Sequence, residues 1–202
     1  VSRYETLDVI KAAPGVELLT LQRPHVANAI NTRMGTDLLD YFSTVERSGC
    51  RSIVISGAGR IFCSGGDLKE RNCMSDGEWQ DQHVTFERMI RAIIHSPLPV
   101  IAAVNGPARA GGCEIAAACD FIYATPESDF ALTEVTLGFM PGCGGTQLLP
   151  RAIGERRAKE LLLTGDSFSA QQAFEWGFVN RIISREKLVD GAIATASRIA
   201  SH

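Results

Sequence analysis

Glu114 stands in an unusually apolar stretch of sequence, NGPARAGGCEIAAACD (residues 105–120). The glycine pair Gly111–Gly112 is expected to open a helix here, and the positions three and four residues from Glu114 on that helix hold only alanine or glycine. No basic residue on the helix can pair with the carboxyl, which is rare for a buried acid without a function. Burial would raise its pKa and suit it to acid–base chemistry. The alternative is an exposed helix face on which Glu114 is solvated.

A second carboxyl, Glu134, lies at the end of a strand predicted at residues 130–133. A glycine-rich loop containing Pro141 follows it, within the segment TEVTLGFMPGCGGTQLLPR. Loops held by a rigid scaffold often carry function, so Glu134 is a second candidate for chemistry. Taken alone, it is equally consistent with a plain surface residue.

The segment FCSGGDLKE (residues 62–70) contains adjacent glycines, Gly65 and Gly66, after a predicted strand. Glycine permits unusual backbone angles and lets a ligand approach the main chain closely. The spacing matches neither a Walker loop nor a GxGxxG dinucleotide motif. The alternative is an ordinary turn from strand to helix.

Cysteine and histidine give no sign of a metal centre or a nucleophilic triad. The six cysteines show no CxxC spacing and no Cys/His cluster, which favours free thiols in a reducing compartment. Cys113 and Cys119 are expected to be small core residues. The four histidines form no recognisable triad with a serine, so we expect them to be structural or solvent-facing.

Strands that alternate with helices position these segments, and they predict an α/β fold with a largely parallel sheet. Apolar or β-rich runs predict strands at residues 16–22, 52–56, 99–104, 121–124 and 130–133, with a short last strand in VNRII. Asn31 is expected to cap one helix, and Ser169 with Gln172 forms a capping box for another. Ser75 or Asp76 begins a longer helix. Its predicted apolar stripe consists of Trp79, Phe86, Met89, Ile90, Ile93 and Ile94.

Composition restricts the class of protein. A chain of 202 residues with 45% hydrophobic and 21% charged residues can bury a substantial core and is not disordered. The net charge of −3, without a basic block, argues against nucleic acid or an anionic membrane as partner. The longest apolar run is too short to span a membrane, and no secretory signal is visible. We expect a cytoplasmic protein, or one of the mitochondrial matrix if a transit segment has been removed.

Together and in this order, the three glycine- and glutamate-bearing segments resemble the enoyl-CoA hydratase/isomerase (crotonase) superfamily, specifically its hydratase-like branch. The likeness runs from LQRPHVANAIN through IFCSGGDLKE, PVIAAVNGPARAGGCEIAAACDFIYAT and GFMPGCGGTQLLPRAIG to LTGDSFSAQQAFEWGFVNRI. Each phrase alone is a weak signal, whereas the set at family spacing is specific.

The resemblance implies the crotonase (ClpP-like) spiral of repeated ββα units, as a single core domain over residues 1–202. It implies an acyl-CoA substrate, no cofactor beyond the CoA that the substrate carries, no metal, and assembly as a homotrimer or a hexamer (dimer of trimers). The thioester carbonyl would lie in an oxyanion hole formed by the N–H groups of Gly66 and Gly111. Placement of Gly111 at a helix N-terminus agrees with this role, because free N–H groups there favour developing negative charge.

The hydratase branch uses two glutamates, which the resemblance matches to Glu114 and Glu134. Glu114 would orient and deprotonate a water for attack at Cβ, and Glu134 would supply a proton to Cα. Two carboxyls that share a site do not both ionise easily, so one is expected to keep a proton. Simple isomerases of the family usually keep only the second acid.

The resemblance also implies substrate contacts beyond the catalytic pair, with Asp67 acting mainly to fix its turn. These positions are Ala27, Ala29, Ser64, Gly65, Asp67, Leu68, Thr133 and Gly142. Arg109 departs from the family pattern, and beside the oxyanion loop it would recognise a carboxylate on an unusual acyl group or simply point outward. The chain ends at His202, where the family's C-terminal helical segment is absent or was not included.

The sequence therefore predicts an enoyl-CoA hydratase that adds water syn across the double bond of a 2-enoyl-CoA. One alternative is an acyl-CoA isomerase or decarboxylase that uses the same oxyanion hole, which a carboxylate held by Arg109 would favour. Another is a non-catalytic or RNA-associated binding protein, against which the intact glutamates and the acidic charge balance argue.

Overall fold

Two runs of consecutive apolar residues form the centre of the main sheet. In the computed structural model, which describes residues 3–202, Ser52–Gly57 and Val100–Val104 are strands buried at every position. Strands covered on both faces by helices need no polar side, which explains why these runs lack alternation. Ile53 and Ile55 face one layer of the core and Val54 faces the other, since neighbouring side chains point to opposite sides of a strand.

Within residues 3–202 the chain forms nine strands in two sheets. They are β1 (Leu7–Ala13), β2 (Val16–Leu21), β3 (Ser52–Gly57), β4 (Val100–Val104), β5 (Ala108–Arg109), β6 (Phe121–Ala124), β7 (Asp129–Ala131), β8 (Phe168–Ser169) and β9 (Arg181–Ile182). The larger sheet has the order β1-β2-β3-β4-β6-β9, antiparallel between β1 and β2 and parallel elsewhere. The smaller sheet has the order β5-β7-β8. The predicted α/β class with a largely parallel sheet is confirmed.

Eight α-helices cover the sheets within the same residues. They are α1 (Thr32–Thr44), α2 (Leu68–Arg71), α3 (Asp76–Ile94), α4 (Gly111–Ala118), α5 (Gly145–Ile153), α6 (Glu155–Thr164), α7 (Ala170–Glu175) and α8 (Arg185–Ala200). Helix α8 packs against β2, β3 and β4 on one face of the large sheet. Helices α1, α3 and α4 lie in the opposite layer, where the cavity described below forms. None of the helices in the described part of the chain is both long and apolar enough to cross a membrane.

The predicted helix caps are confirmed. Asn31 accepts a hydrogen bond from the N–H of Met34 at 2.9 Å, and Ser75 forms a reciprocal capping box with Glu78. Ser169 and Gln172 form a second capping box at the start of α7. These local signals fix where α1, α3 and α7 begin, because each satisfies backbone N–H groups that the helix leaves free.

The predicted apolar stripe of α3 is wrong at its two ends. Trp79 and Ile94 are 42% and 41% exposed, whereas the other predicted members, Phe86, Met89, Ile90 and Ile93, are buried. The strand predicted at residues 130–133 also ends early, at Ala131. Two elements have no clear signal in the sequence: β1 is interrupted by a lysine, and α5 contains a proline.

The N-terminus of α4 packs so closely against the main chain at Cys63 that only glycine fits at position 112. A Cβ on Gly112 would lie 2.3 Å from the carbonyl oxygen of Cys63. Both Gly112 and Gly77 are the second residue of their helices, but a Cβ on Gly77 would have no atom within 4 Å. Gly77 is therefore a control for Gly112, because it has the same position in its helix but open space around it.

We expect Gly112→Ala to lower the free energy of unfolding by about 2–3 kcal/mol, because the methyl group displaces backbone. Gly77→Ala should leave it unchanged or raise it by up to about 1 kcal/mol, through reduced freedom of the unfolded chain. Urea denaturation of both variants measures the difference. Equal stabilities would show that α4 is not held against the Cys63 backbone.

Candidate active site

Helix α4 carries Glu114 into the interior, where its side chain is only 2% exposed. Its Oε1 atom accepts hydrogen bonds from the N–H groups of Cys143 at 2.9 Å and Gly145 at 2.8 Å. Gly145 is the first residue of α5, so the carboxylate lies at a helix N-terminus, which favours negative charge. The alternative of a solvated Glu114 is therefore wrong.

Glu134 opens a 3₁₀ turn, Glu134–Leu137, that follows β7, instead of ending a strand. It is 4% exposed, and its Oε2 atom has no hydrogen-bond partner within residues 3–202. The interpretation of Glu134 as a plain surface residue is wrong as well. An acid buried in this way with an unpartnered oxygen is poised to hold a proton.

The surroundings of the two carboxyls give them different proton affinities. Burial, followed by the neighbouring charge of Glu114, raises the pKa of Glu134 to about 7. Burial also raises the pKa of Glu114, but the two backbone N–H donors oppose that shift by binding its ionised form. We assign the charge to Glu114 and the shared proton to Glu134, since Glu114 has two backbone donors from another segment to stabilise an anion, whereas the backbone hydrogen bond of Glu134 comes from its own residue.

Gly66 presents a free backbone N–H beside this pair. The residues on either side of Gly66 form a backbone bridge to Ile30. The N–H of Ile30 donates to the carbonyl of Gly65 at 2.8 Å, and the carbonyl of Ile30 accepts from the N–H of Asp67 at 2.9 Å. The N–H of Gly66 itself donates no hydrogen bond within residues 3–202. Gly65 has a φ of +92°, and a Cβ there would lie 2.8 Å from that of Ala110, so glycine is required.

Gly111 supplies a second free N–H as the first residue of α4, where no intrahelical acceptor exists. Ala110 before it has a φ of +47°, a strained angle for alanine that sets the direction of the following N–H. A Cβ on Gly111 would stand 3.9 Å from the nitrogen of Gly66. The two free donors are thus close neighbours, an arrangement suited to a single oxygen that gains negative charge.

A cavity of about 340 Å³ joins the two N–H groups to the two carboxyls. The predicted site residues that line it are Ser64, Gly66, Leu68, Gly111, Glu114, Thr133, Glu134 and Gly142. Four further predicted residues lie outside its walls: Ala27, Ala29, Gly65 and Asp67. Within residues 3–202, no group of three or more His, Cys, Asp or Glu side chains is arranged to hold a metal ion.

Asp67 has a structural position. It caps α2 by accepting from the N–H groups of Lys69 and Glu70, and it forms an ion pair with Arg23 at 3.0 Å. Burial opposes ionisation, but the hydrogen bonds from Arg23 and the backbone hold the pKa of Asp67 below its usual value. Arg23 also donates to the carbonyl of Ala29, so the pair ties α2 to the turn before α1.

Arg109 does not line the cavity, so of the two alternatives for this residue the structure does not support recognition of a substrate carboxylate. In the register of β5 with β7, Arg109 pairs with Ala131, and Asp129 lies two residues earlier on the same side of that strand. The guanidinium forms an ion pair with Asp129 instead of facing a ligand. Cys113 and Cys119 are buried, as predicted.

The cavity is also lined by Arg71, Trp79 and His83, and of these three Arg71 went unrecognised in the sequence. The Trp79 and His83 rings stack with centroids 5.4 Å apart, a contact consistent with the expectation that His83 is structural or solvent-facing. Helical spacing places the two rings together, since they are four residues apart on α3. Arg71 had no comparable signal, because a lone arginine in a short helix is typical of a solvated surface.

The alternating strands and helices, the glycine-bounded N–H pair and the buried acids define a protein of the crotonase fold. The chain belongs to the enoyl-CoA hydratase/isomerase family, whose model matches residues 11–202. It is 39% identical to the 1,2-epoxyphenylacetyl-CoA isomerase of Escherichia coli (strain K12), over 93% of this chain and 72% of that relative. It is 40% identical to the mitochondrial enoyl-CoA hydratase of Pongo abelii, over 93% of this chain and 64% of that relative.

A solved structure of an enoyl-CoA hydratase from Bacillus anthracis superimposes with a TM-score of 0.95 at 38% identity. The match covers 98% of this chain and 78% of that one. The predicted family and fold class are therefore confirmed.

We expect the Glu134 carboxyl to titrate near pH 7, as measured by carbon NMR of labelled glutamate. Glu114→Gln should lower that pKa, because it removes the neighbouring negative charge. Glu155→Gln, on an exposed part of α6, should leave it unchanged. A folded-state pKa above the ordinary value of 4.5 also means that the free energy of unfolding falls as pH rises from about 4.5 to about 7. Ordinary titration of Glu134 would contradict the assignment of the shared proton.

Proposed function

We propose that this protein is an enoyl-CoA hydratase, which adds water across the double bond of a 2-enoyl-CoA thioester. The observation that carries the proposal is one cavity in which two free backbone N–H groups accompany two buried carboxyls with unequal proton affinity. The enoyl-CoA hydratases among its relatives support the same reaction class.

The thioester carbonyl oxygen accepts hydrogen bonds from the N–H groups of Gly66 and Gly111. These donors withdraw electrons from the conjugated double bond and make Cβ electrophilic. They also stabilise the enolate that forms when Cβ is attacked, and this differential stabilisation accelerates the reaction. The rigid glycine turn and the start of α4 hold both donors in place before the substrate arrives.

The two carboxyls divide the proton transfers. Glu114, ionised, accepts a proton from a bound water while the water oxygen forms its bond to Cβ. Glu134, protonated, gives its proton to Cα as the enolate collapses. The proposal places both carboxyls on the same side of the bound substrate, so that hydrogen and hydroxyl add to one face of the double bond, which is syn addition. Exchange of the proton between the carboxyls through water would restore the starting state.

The remaining predicted contacts are proposed to hold the CoA portion and the thioester. Ser64, Leu68, Thr133 and Gly142 line the cavity, and Ala27 and Ala29 lie on the chain leading away from it, where the adenine end of CoA would meet backbone. Gly65 and Asp67 shape the turn between them. No cofactor is needed beyond the CoA of the substrate.

A second candidate is isomerisation of an acyl-CoA, favoured by the 39% identity to a relative named as an epoxyphenylacetyl-CoA isomerase. That reaction would use the same oxyanion hole, with Glu134 moving a proton. A substrate carboxylate held by Arg109 would have favoured the isomerase or decarboxylase alternative, but the guanidinium of Arg109 is paired with Asp129. No feature of the described residues favours an RNA-associated role.

Hydration is tested with crotonyl-CoA, whose enoyl absorbance disappears on turnover. We expect Glu114→Gln and Glu134→Gln each to lower kcat/KM by at least about 100-fold, because each removes one proton-transfer group. The exposed Glu155→Gln is the matched control and should retain wild-type activity.

A wild-type protein that binds acyl-CoA but hydrates neither crotonyl-CoA nor a 2-enoyl-CoA with a terminal acid would reject the hydratase proposal in favour of isomerisation. Activity that survives in both glutamine variants would reject the assigned roles.

We also propose assembly as a homotrimer or a dimer of trimers. Leu163 on α6 and Phe174 on α7 are 74% and 47% exposed and lie outside the cavity walls, so they are available to an interface. Light scattering should give three or six times the chain mass. Leu163→Glu should reduce that mass, whereas a monomeric wild type would contradict the proposal.

A further inference from the structure

Arg71 is the last residue of α2, and its guanidinium forms part of the cavity wall. A Cβ on Gly66 would lie 3.0 Å from its Cζ atom, which places the cation beside the proposed oxyanion hole. The mechanism proposed above gives this charge no task. A cation at this depth within a ligand cavity needs a reason, since desolvating it is costly.

A buried hydrogen-bond network fixes the orientation of Arg71. Its Nε donates to Oε1 of Gln82 at 2.9 Å, and Gln82 is only 2% exposed. The amide nitrogen of Gln82 donates to Thr32 and to Glu70, each at 2.8 Å. Because both amide hydrogens are used by these acceptors, the amide oxygen must face Arg71. The guanidinium is therefore preorganised before a ligand binds.

The outer edge of the guanidinium is left without an acceptor. Its face lies over the ring of Phe86, 5.4 Å from the centroid. Within residues 3–202, Nη1 and Nη2 donate no hydrogen bond, and no carboxylate oxygen lies within the 4.0 Å of an ion pair. A planar fork of N–H groups with one face stacked presents the geometry that a carboxylate accepts in two parallel bonds.

The acidic side chains across the cavity do not pair with the free N–H groups of Arg71. The charge of Arg71 partly opposes the rise in pKa that burial causes at Glu114 and Glu134, but neither acid forms an ion pair with it. Glu114 is already held by two backbone N–H groups, and Glu134 keeps the shared proton. Glu70, the nearest acid in sequence, accepts from Gln82 and from the N–H of Thr32. A hydrocarbon acyl group would cover Arg71 and leave its fork unpaired.

We propose that Arg71 binds a carboxylate on the acyl group, so that the preferred substrates are short enoyl-CoA thioesters with a second, terminal acid. The acyl chain must be short because the guanidinium lies beside Gly66, whose N–H takes the thioester oxygen. This inference rests on the proposed function only in placing an acyl thioester in the cavity. Arg71 is here a specificity-determining residue, and the proton transfers remain with the glutamates.

The test measures binding of two unreactive acyl-CoA compounds by calorimetry. One is 4-carboxybutanoyl-CoA, and the other is its primary amide, 4-carbamoylbutanoyl-CoA, which has the same size and shape without the charge. We expect the wild type to bind the acid about 10- to 100-fold more tightly, the range of a charge-assisted bidentate contact. Arg71→Met should abolish this preference while retaining affinity for the amide.

Arg88→Met is the matched control, because Arg88 is exposed on α3 and lies outside the cavity walls, and it should keep the full preference. Arg71→Gln removes the charge but keeps a polar side chain, and it provides the same comparison if methionine disturbs folding. Equal wild-type affinity for acid and amide, or a preference that persists without Arg71, would overturn the inference.

Separate measurement of the turnover of crotonyl-CoA and of 4-carboxybut-2-enoyl-CoA, an enoyl thioester with a terminal acid, distinguishes this inference from the hydratase proposal. A preference for the acid without any hydration would sustain the role of Arg71 and reject the hydratase assignment. Hydration without a preference for the acid would sustain the hydratase assignment and reject the role of Arg71. Failure to bind either compound would reject the acyl-thioester site itself.

Discussion

The buried carboxylate of Glu114 is the constraint on which the rest of the site depends. A charge that is 2% exposed persists only if donors replace water, and here they come from the backbone of Cys143 and from the first N–H of α5. The loop must therefore bring main chain within 3 Å of the acid. Gly145 permits this, since a Cβ there would lie 3.1 Å from Oε1 of Glu114. The glycines after Pro141 thus allow backbone N–H groups to approach and stabilise the buried charge of Glu114.

The ionised Glu114 makes the proton affinities of the two acids unequal although they share one cavity. Glu134 has no equivalent donors and sits within the field of Glu114, so the proton is more stable on Glu134. Opposite them, strain is accepted at Ala110 to aim the N–H of Gly111 beside that of Gly66. In the proposed mechanism the backbone thereby determines both where negative charge develops and which of the two carboxyls holds the proton.

Local patterns predicted the parts of this protein that local physics controls. The buried runs of β3 and β4, the caps at Asn31 and Ser75, and the unpaired setting of Glu114 could all be read from neighbouring residues. The missed features depend on contacts between distant segments. Arg109 and Arg71 are equally plain in sequence, yet strand register sends the first to Asp129 and a buried glutamine draws the second into the cavity. Pro150 masks the helical pattern of α5 in the sequence, although the first N–H of that helix donates a hydrogen bond to Glu114.

The sequence separation between Glu114 and its donors has a consequence for how the chain acquires its site during synthesis. Cys143 and Gly145 follow Glu114 by 29 and 31 residues, whereas the strands that flank α4 are complete by Ala124. A nascent chain can therefore align the core of its sheet while the acid on α4 still has only water as a partner. Glu114 cannot gain its two backbone donors until the loop before α5 has left the ribosome, so the acid is desolvated later in synthesis than the strands beside it can pair.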